Sequence, residues 1–161
     1  MAIGGVINDP SNPESWGHLA STAILYKGLL KENPSIFQFE PNVRGFAYEK
    51  MKGGNLPNNF PTIDKLYGNE VTSIKSIDLK SKSYKSGKLL YNTLKKYVDA
   101  LEKFKSGQAG GKSITPMDYN SKSLDVGYQN GVATKSQLEI FNQIKEYGKE
   151  KNINVEFNKV K

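Results

Sequence analysis

The sequence predicts an α/β sandwich in which a small mixed β-sheet is flanked by helices. Three observations predict it. Two β-like runs, 62–67 and 70–78, flank Gly68-Asn69, a two-residue turn signal. The segment 88–104 sets Leu90, Leu94, Tyr97, Val98, Leu101 and Phe104 on one helical face. The end of the chain then runs strand, helix, strand.

In chain order, residues 1–13 read as a linker or a ragged start, and 14–161 as a single domain long enough to bury a core. Residues 15–31 predict an amphipathic helix on Trp16, Leu19, Ala23, Tyr26 and Leu30, ended by Asn33-Pro34. His18 lies off that stripe, as a partly exposed helix residue. Residues 43–52 form a short helix or turn carrying Glu49, with Phe46, Tyr48 and Met51 available to pack it down. Residues 53–61 are a loop dense in Gly, Asn and Pro, and 80–87 a polar, lysine-rich loop. Ser106 to Lys112 is a glycine-rich break. It is one residue short of a P-loop and follows a helix, so it predicts a flexible loop and not a phosphate cradle. Residues 123–128 read as a strand. Thr134 and Gln137 fit a capping box opening a helix that buries Leu138, Phe141, Ile144 and Tyr147. A last strand, 153–160, alternates Ile153, Val155 and Phe157, and no internal repeat is present.

Composition excludes several chemistries. There is no cysteine, so no disulfide and no thiolate metal site. With one histidine, a two-histidine metal cluster or acid/base pair cannot be built. Any metal must be held mainly by carboxylates. No apolar run is long enough to cross a bilayer and no secretory signal opens the chain, so stable membrane insertion is not expected. The formal charge is +7, and the excess is local: Lys75 to Lys112 holds ten lysines against Asp78, Asp99 and Glu102. Such a stretch is either a solubilising face or a surface for a polyanion. As a nucleic-acid surface it offers Lys80, Lys82, Lys85 and Lys88 as substrate contacts. Arg44 is the only arginine, so attraction to the backbone should outweigh base reading.

The hairpin sets up a candidate site. With Gly68 and Asn69 as the turn, Tyr67 pairs with Glu70, Leu66 with Val71, Lys65 with Thr72 and Asp64 with Ser73. Opposed residues share a face, as do residues two apart on a strand. Asp64, Ser73 and Lys75 then converge, provided the register holds. Such a cluster suits phosphodiester cleavage. Asp64 can hold a divalent ion, and Glu49 can add a second carboxylate from the preceding helix. Ser73 can ligate through its hydroxyl and Ile74 through its backbone carbonyl. Lys75 can stabilise charge building on the phosphate. On spacing alone, a lysine opposite an aspartate is as well explained by a cross-strand ion pair.

The stretch RGFAYEKMKGGNLPNNFPTIDKLYGNEVTSIKSIDL shifts that balance. It resembles the C-terminal nuclease domains of bacterial contact-dependent growth-inhibition (CDI) and related polymorphic toxins, in the PD-(D/E)xK superfamily. The matching features are Arg44-Gly45-Phe46 with Glu49, Asn58-Asn59-Phe60-Pro61 with Ile63-Asp64, and Thr72 to Leu79; the likeness runs loosely from about residue 40 to 160. The resemblance implies a PD-(D/E)xK nuclease-like core over 14–161, with Glu49, Asp64 and Lys75 catalytic and the two carboxylates on a metal, Zn2+ or Mg2+. Ser73 stands where the superfamily usually has a second acid. That departure is similar to a toxin subgroup that uses Ser-x-Lys and looks like metal-dependent DNases. DNA is therefore the favoured substrate, with tRNA cleavage as the alternative. A non-enzymatic basic binding module is the reading outside this class. The resemblance further implies export as the C-terminal part of a larger secreted or cell-surface protein and action in the target-cell cytoplasm. It also implies neutralisation by a cognate immunity protein, engaged by β-augmentation, with 113–131 as a candidate contact region.

Overall fold

The computed structural model describes residues 35–161. The expected start at 1–13 and the helix at 15–31, with Trp16 and His18, lie outside the described residues. A 3-10 turn at Ile36–Gln38 leads into α1 (Pro41–Met51). Proline suits the first turn of a helix, where its missing N–H would be unpaired anyway. There follow β1 (Lys65–Tyr67), β2 (Glu70–Ser76), a 3-10 turn at Lys82–Tyr84 and α2 (Gly87–Lys103). The chain ends with β3 (Gly107–Ala109), β4 (Lys112–Ile114), β5 (Ser121–Gln129), α3 (Lys135–Glu150) and β6 (Ile153–Val160).

The main sheet has the order β1-β2-β5-β6, antiparallel between β1 and β2 and parallel thereafter. The fold is thus the expected mixed sheet flanked by helices. On one face, α2 packs Leu90, Leu94, Val98 and Leu101, and α3 packs Ile140, Phe141 and Ile144, against Val71, Leu124, Val126 and Val155. Each fully buried Leu, Ile or Val contributes roughly 1.5–3 kcal/mol. On the other face, α1 and the first 3-10 turn close a smaller cluster of Ile36, Tyr48, Ile74 and Val160. β5 lies between two parallel partners and is buried on both faces from Ser123 to Gln129.

The hairpin register is Tyr67–Glu70, Leu66–Val71 and Lys65–Thr72, as the turn predicts. Gly68 takes φ +57° while Asn69 stays out of the left-handed region, the pattern of a type II′ turn. The capping box also forms: the Gln137 N–H donates to Thr134 Oγ1 at 3.1 Å, and the Thr134 N–H to Gln137 Oε1 at 3.0 Å.

Several expectations are corrected. β1 begins at Lys65 and not at residue 62, because Thr62 has φ +67° and the Ile63 N–H turns back to the Pro61 carbonyl at 2.7 Å. The glycine-rich break is not a flexible loop but a hairpin, β3–β4, closed by Gly110 and Gly111 at φ +53° and +75°. Leu138 (42% exposed) and Met51 (49%) face outward. Gln137, Ile140 and Gly148 join Phe141 and Ile144 on the buried stripe of α3, and Tyr147 is half-buried. Residues 121–129, nine of the nineteen in the candidate contact region 113–131, are an interior strand and not a docking surface.

Candidate active site

The site sits where β1 stops short. β1 covers β2 only from Glu70 to Thr72, leaving the following residues of β2 without a strand neighbour on that side. The predicted fourth pair, Asp64 with Ser73, does not form. The Asp64 N–H donates instead to the Thr72 carbonyl at 2.9 Å, one position off the ladder. The Asp64 carboxylate then takes the open edge N–H of Ile74 at 2.7 Å. In an extended strand a residue's N–H and C=O point to the same edge, so the Ile74 carbonyl faces this side too.

Asp64 is fixed by the loop before it. Leu56, Phe60 and Ile63 are buried in the main core. The N–H groups of Asn55 and Leu56 donate to the Asp64 carbonyl at 3.1 and 3.2 Å. The Asn55 side chain also accepts the Leu66 N–H at 3.0 Å and donates to the Leu66 carbonyl at 2.8 Å, closing the outer edge of β1.

Glu49 is fixed by its neighbours in α1. The Tyr48 ring lies against Gly127, where any Cβ would meet its Cζ at 2.5 Å. The Tyr48 hydroxyl donates to Asp125 Oδ1, which also accepts from Asn158 at 2.9 Å, and Lys52 pairs with Asp125 Oδ2 at 3.1 Å. Positions 48 and 52, one turn apart, thus pin α1 to β5. The Gly54 N–H returns to the Glu49 carbonyl at 2.8 Å, and a Cβ at Gly54 would stand 2.5 Å from Glu49 Cγ. The two segments that carry the carboxylates therefore meet across this loop.

Electrostatics place the charges within reach of one another. Burial first and the Asp64 charge second push the Glu49 carboxyl up to about 7, against the pull of Lys50 and Lys75. Burial also raises Asp64, against the pull of Lys75 and the Ile74 N–H. Two half-desolvated carboxylates that repel each other, with one lysine beside both, are a site short of positive charge. Among the described residues no third carboxylate or imidazole joins them.

Lys75 is half-buried, with Nζ 5.6 Å from the Tyr97 ring centroid on α2. Ser73 is buried (2% exposed). Lys80, Lys82, Lys85 and Lys88 are all exposed. The segment that carries the first three, before α2, is not loose. Gln129 accepts the Leu79 N–H at 2.9 Å and donates to Asp78, while Gln137 donates to the carbonyls of Leu79 and Tyr84 at 3.2 and 3.1 Å. Sequence reasoning missed these clamps, as it missed Gly54 and Asp125. Gln137 alone carried a signal, through its capping box.

A family model described as a CDI toxin restriction endonuclease-like domain matches residues 44–158. Among solved structures, the chain is similar to one in the CdiA-CT/CdiI toxin and immunity complex from Yersinia pseudotuberculosis. The TM-score is 0.63 at 28% identity, covering 71% of this chain and 98% of that one. No curated protein matches by sequence.

Proposed function

The chain belongs to the CDI toxin restriction endonuclease-like domain family, and from that premise we propose that it is a metal-dependent DNase with Glu49, Asp64, Ser73 and Lys75 as its active site. The observation that carries this is the meeting of Glu49 and Asp64, one from a helix and one from the start of a strand, in a shared field with Lys75.

The donor set fits a hard divalent cation. Glu49 and Asp64 offer carboxylate oxygens whose charge is poorly solvated and mutually repulsive, and the Ile74 carbonyl lies on the same edge. The Ser73 hydroxyl, on a buried residue of the same strand, adds a neutral donor. Mg2+ and Zn2+ both accept such a set with waters completing the shell. When bound, the ion supplies charge neutralisation and a water acidified toward neutral pH. The residues do the rest. Lys75, braced on Tyr97, holds the attacking water and a phosphate oxygen, and its ammonium meets the charge that builds there. Asp64, tied to the Ile74 N–H, keeps its carboxylate from turning away. Exposed Lys80, Lys82 and Lys85, on a segment clamped by Gln129 and Gln137, and Lys88 in the first turn of α2 draw in the polyanion.

The same family membership supports export as the C-terminal part of a larger cell-surface protein, action in the target-cell cytoplasm, and a cognate immunity protein as partner. For β-augmentation, the outer edge of β1 is already taken by Asn55, which leaves the β3–β4 hairpin and the outer edge of β6 as candidate edges.

The test is cleavage of supercoiled plasmid and of tRNA, each with and without chelator. We expect metal-dependent plasmid cleavage, abolished by Asp64→Ala and by Lys75→Ala in folded variants. Cleavage of tRNA alone would move the substrate to RNA. Wild-type activity in either variant would overturn the site.

A further inference from the structure

The chain's only arginine lies beside the proposed site but outside it. Arg44 is half-buried in α1, with Nε donating to Ser76 Oγ at 3.3 Å and its guanidinium 5.4 Å from the Phe37 ring centroid. Ser76 closes the strand that carries Ser73 and Lys75. No carboxylate among the described residues pairs with Arg44. A partly desolvated cation without a counter-ion is a costly thing to hold in place.

Its position is directional. Arg44 acts electrostatically on Tyr97, the ring that also braces Lys75. Ser76, which accepts from the Arg44 Nε, directly follows Lys75 on β2, so the guanidinium is anchored at the Lys75 end of the strand. One of its five N–H donors is used by Ser76, and the terminal nitrogens keep the other four. That fork matches two oxygens of a phosphate.

We propose that Arg44 is a substrate-binding residue that clamps a backbone phosphate flanking the scissile one, held in its pose by Ser76 and Phe37. The proposal rests on the nuclease reading above, with nucleic acid as the anion. The clamp fixes the register of the strand along β2 and carries no base information.

The test is binding of a labelled 20-base-pair DNA duplex in chelator, followed across a salt titration, in an Asp64→Asn background that cannot cleave. Arg44→Gln should weaken binding about tenfold at low salt and flatten the slope of log K against log salt by about one. Arg44→Lys keeps the charge and the stem, so it should keep the slope and weaken binding only about threefold. This second variant decides the matter if the first melts at a lower temperature. Parent-like affinity and slope in Arg44→Gln would overturn the proposal, as would a lost slope in a well-folded Arg44→Lys. Absence of duplex binding by the Asp64→Asn parent would instead overturn the DNase reading.

Discussion

Gly54→Ala adds one methyl group, and the structure says where it goes. The new Cβ would stand 2.5 Å from Glu49 Cγ, 2.9 Å from Oε1 and 3.1 Å from the Glu49 carbonyl oxygen. Gly54 has no left-handed φ, so the backbone itself does not object to alanine. The conflict falls on Glu49. Its Cγ sits close to the helix and cannot swing aside as a chain tip can, so the carboxylate must shift from its present position. Overpacking of this kind costs about 1–3 kcal/mol, and a misplacement of about 1 Å at a reacting group costs on the order of 100-fold in rate. Gly45→Ala is the control. Gly45 lies inside α1 with nothing within 4 Å of its would-be Cβ, so alanine should stabilise by about 0.5–1 kcal/mol and leave the rate alone. Urea denaturation and plasmid cleavage read both quantities. Matching behaviour of the two variants, or a wild-type rate in Gly54→Ala, would refute the argument that Gly54 seats the Glu49 side chain.

Three further predictions follow from single contacts. Glu49 at about 7, against its ordinary 4.5, favours the metal-free fold below pH 4.5, and that contribution is lost as pH rises through about 7. Divalent metal should therefore raise the melting temperature more at pH 8 than at pH 5.5, and an equal rise at both would contradict the raised carboxyls. Tyr48→Phe removes the donor to Asp125 while the ring stays over Gly127; urea denaturation should show a loss of about 1–3 kcal/mol. Lys122 Nζ donates to the carbonyls of Leu101, Glu102 and Phe104 at 2.6, 3.2 and 2.6 Å, capping the end of α2. Lys122→Met should cost about 1–3 kcal/mol and speed hydrogen exchange in the last turn of α2.

Local rules made much of this fold legible. Gly68-Asn69 sets the three pairs next to the turn, and the stripe from Leu90 to Leu101 has one helical period, so both of these form as expected. Failures arise where a single residue overrides a pattern. Residues 62–67 look like a strand until Thr62 turns to φ +67°, which a side-chain pattern does not encode. Residues 106–112 look like a loop because two glycines that close a hairpin also resemble a linker. Leu138 fits a stripe drawn at Phe141 and Ile144, but the helix is rotated so that Gln137 and Ile140 point in.

The candidate site divides in the same way. Asp64 and Lys75 follow from the hairpin, although Asp64 reaches the site by capping Ile74 and not by pairing with Ser73. Glu49 depends on contacts between distant segments: Tyr48 with Asp125, and Gly54 with Glu49 itself. No periodicity within residues 43–52 foretells a hydrogen bond 77 residues away. Family resemblance supplied what local physics could not.

The central claim is that Glu49 and Asp64, from separate segments, share one divalent ion. Calorimetric titration of Mn2+ into wild type, Glu49→Gln and Asp64→Asn tests it most directly. The account predicts one site in the wild type, and affinity reduced on the order of 100-fold by either variant in a protein that still melts cooperatively. Undiminished binding in either variant would contradict it.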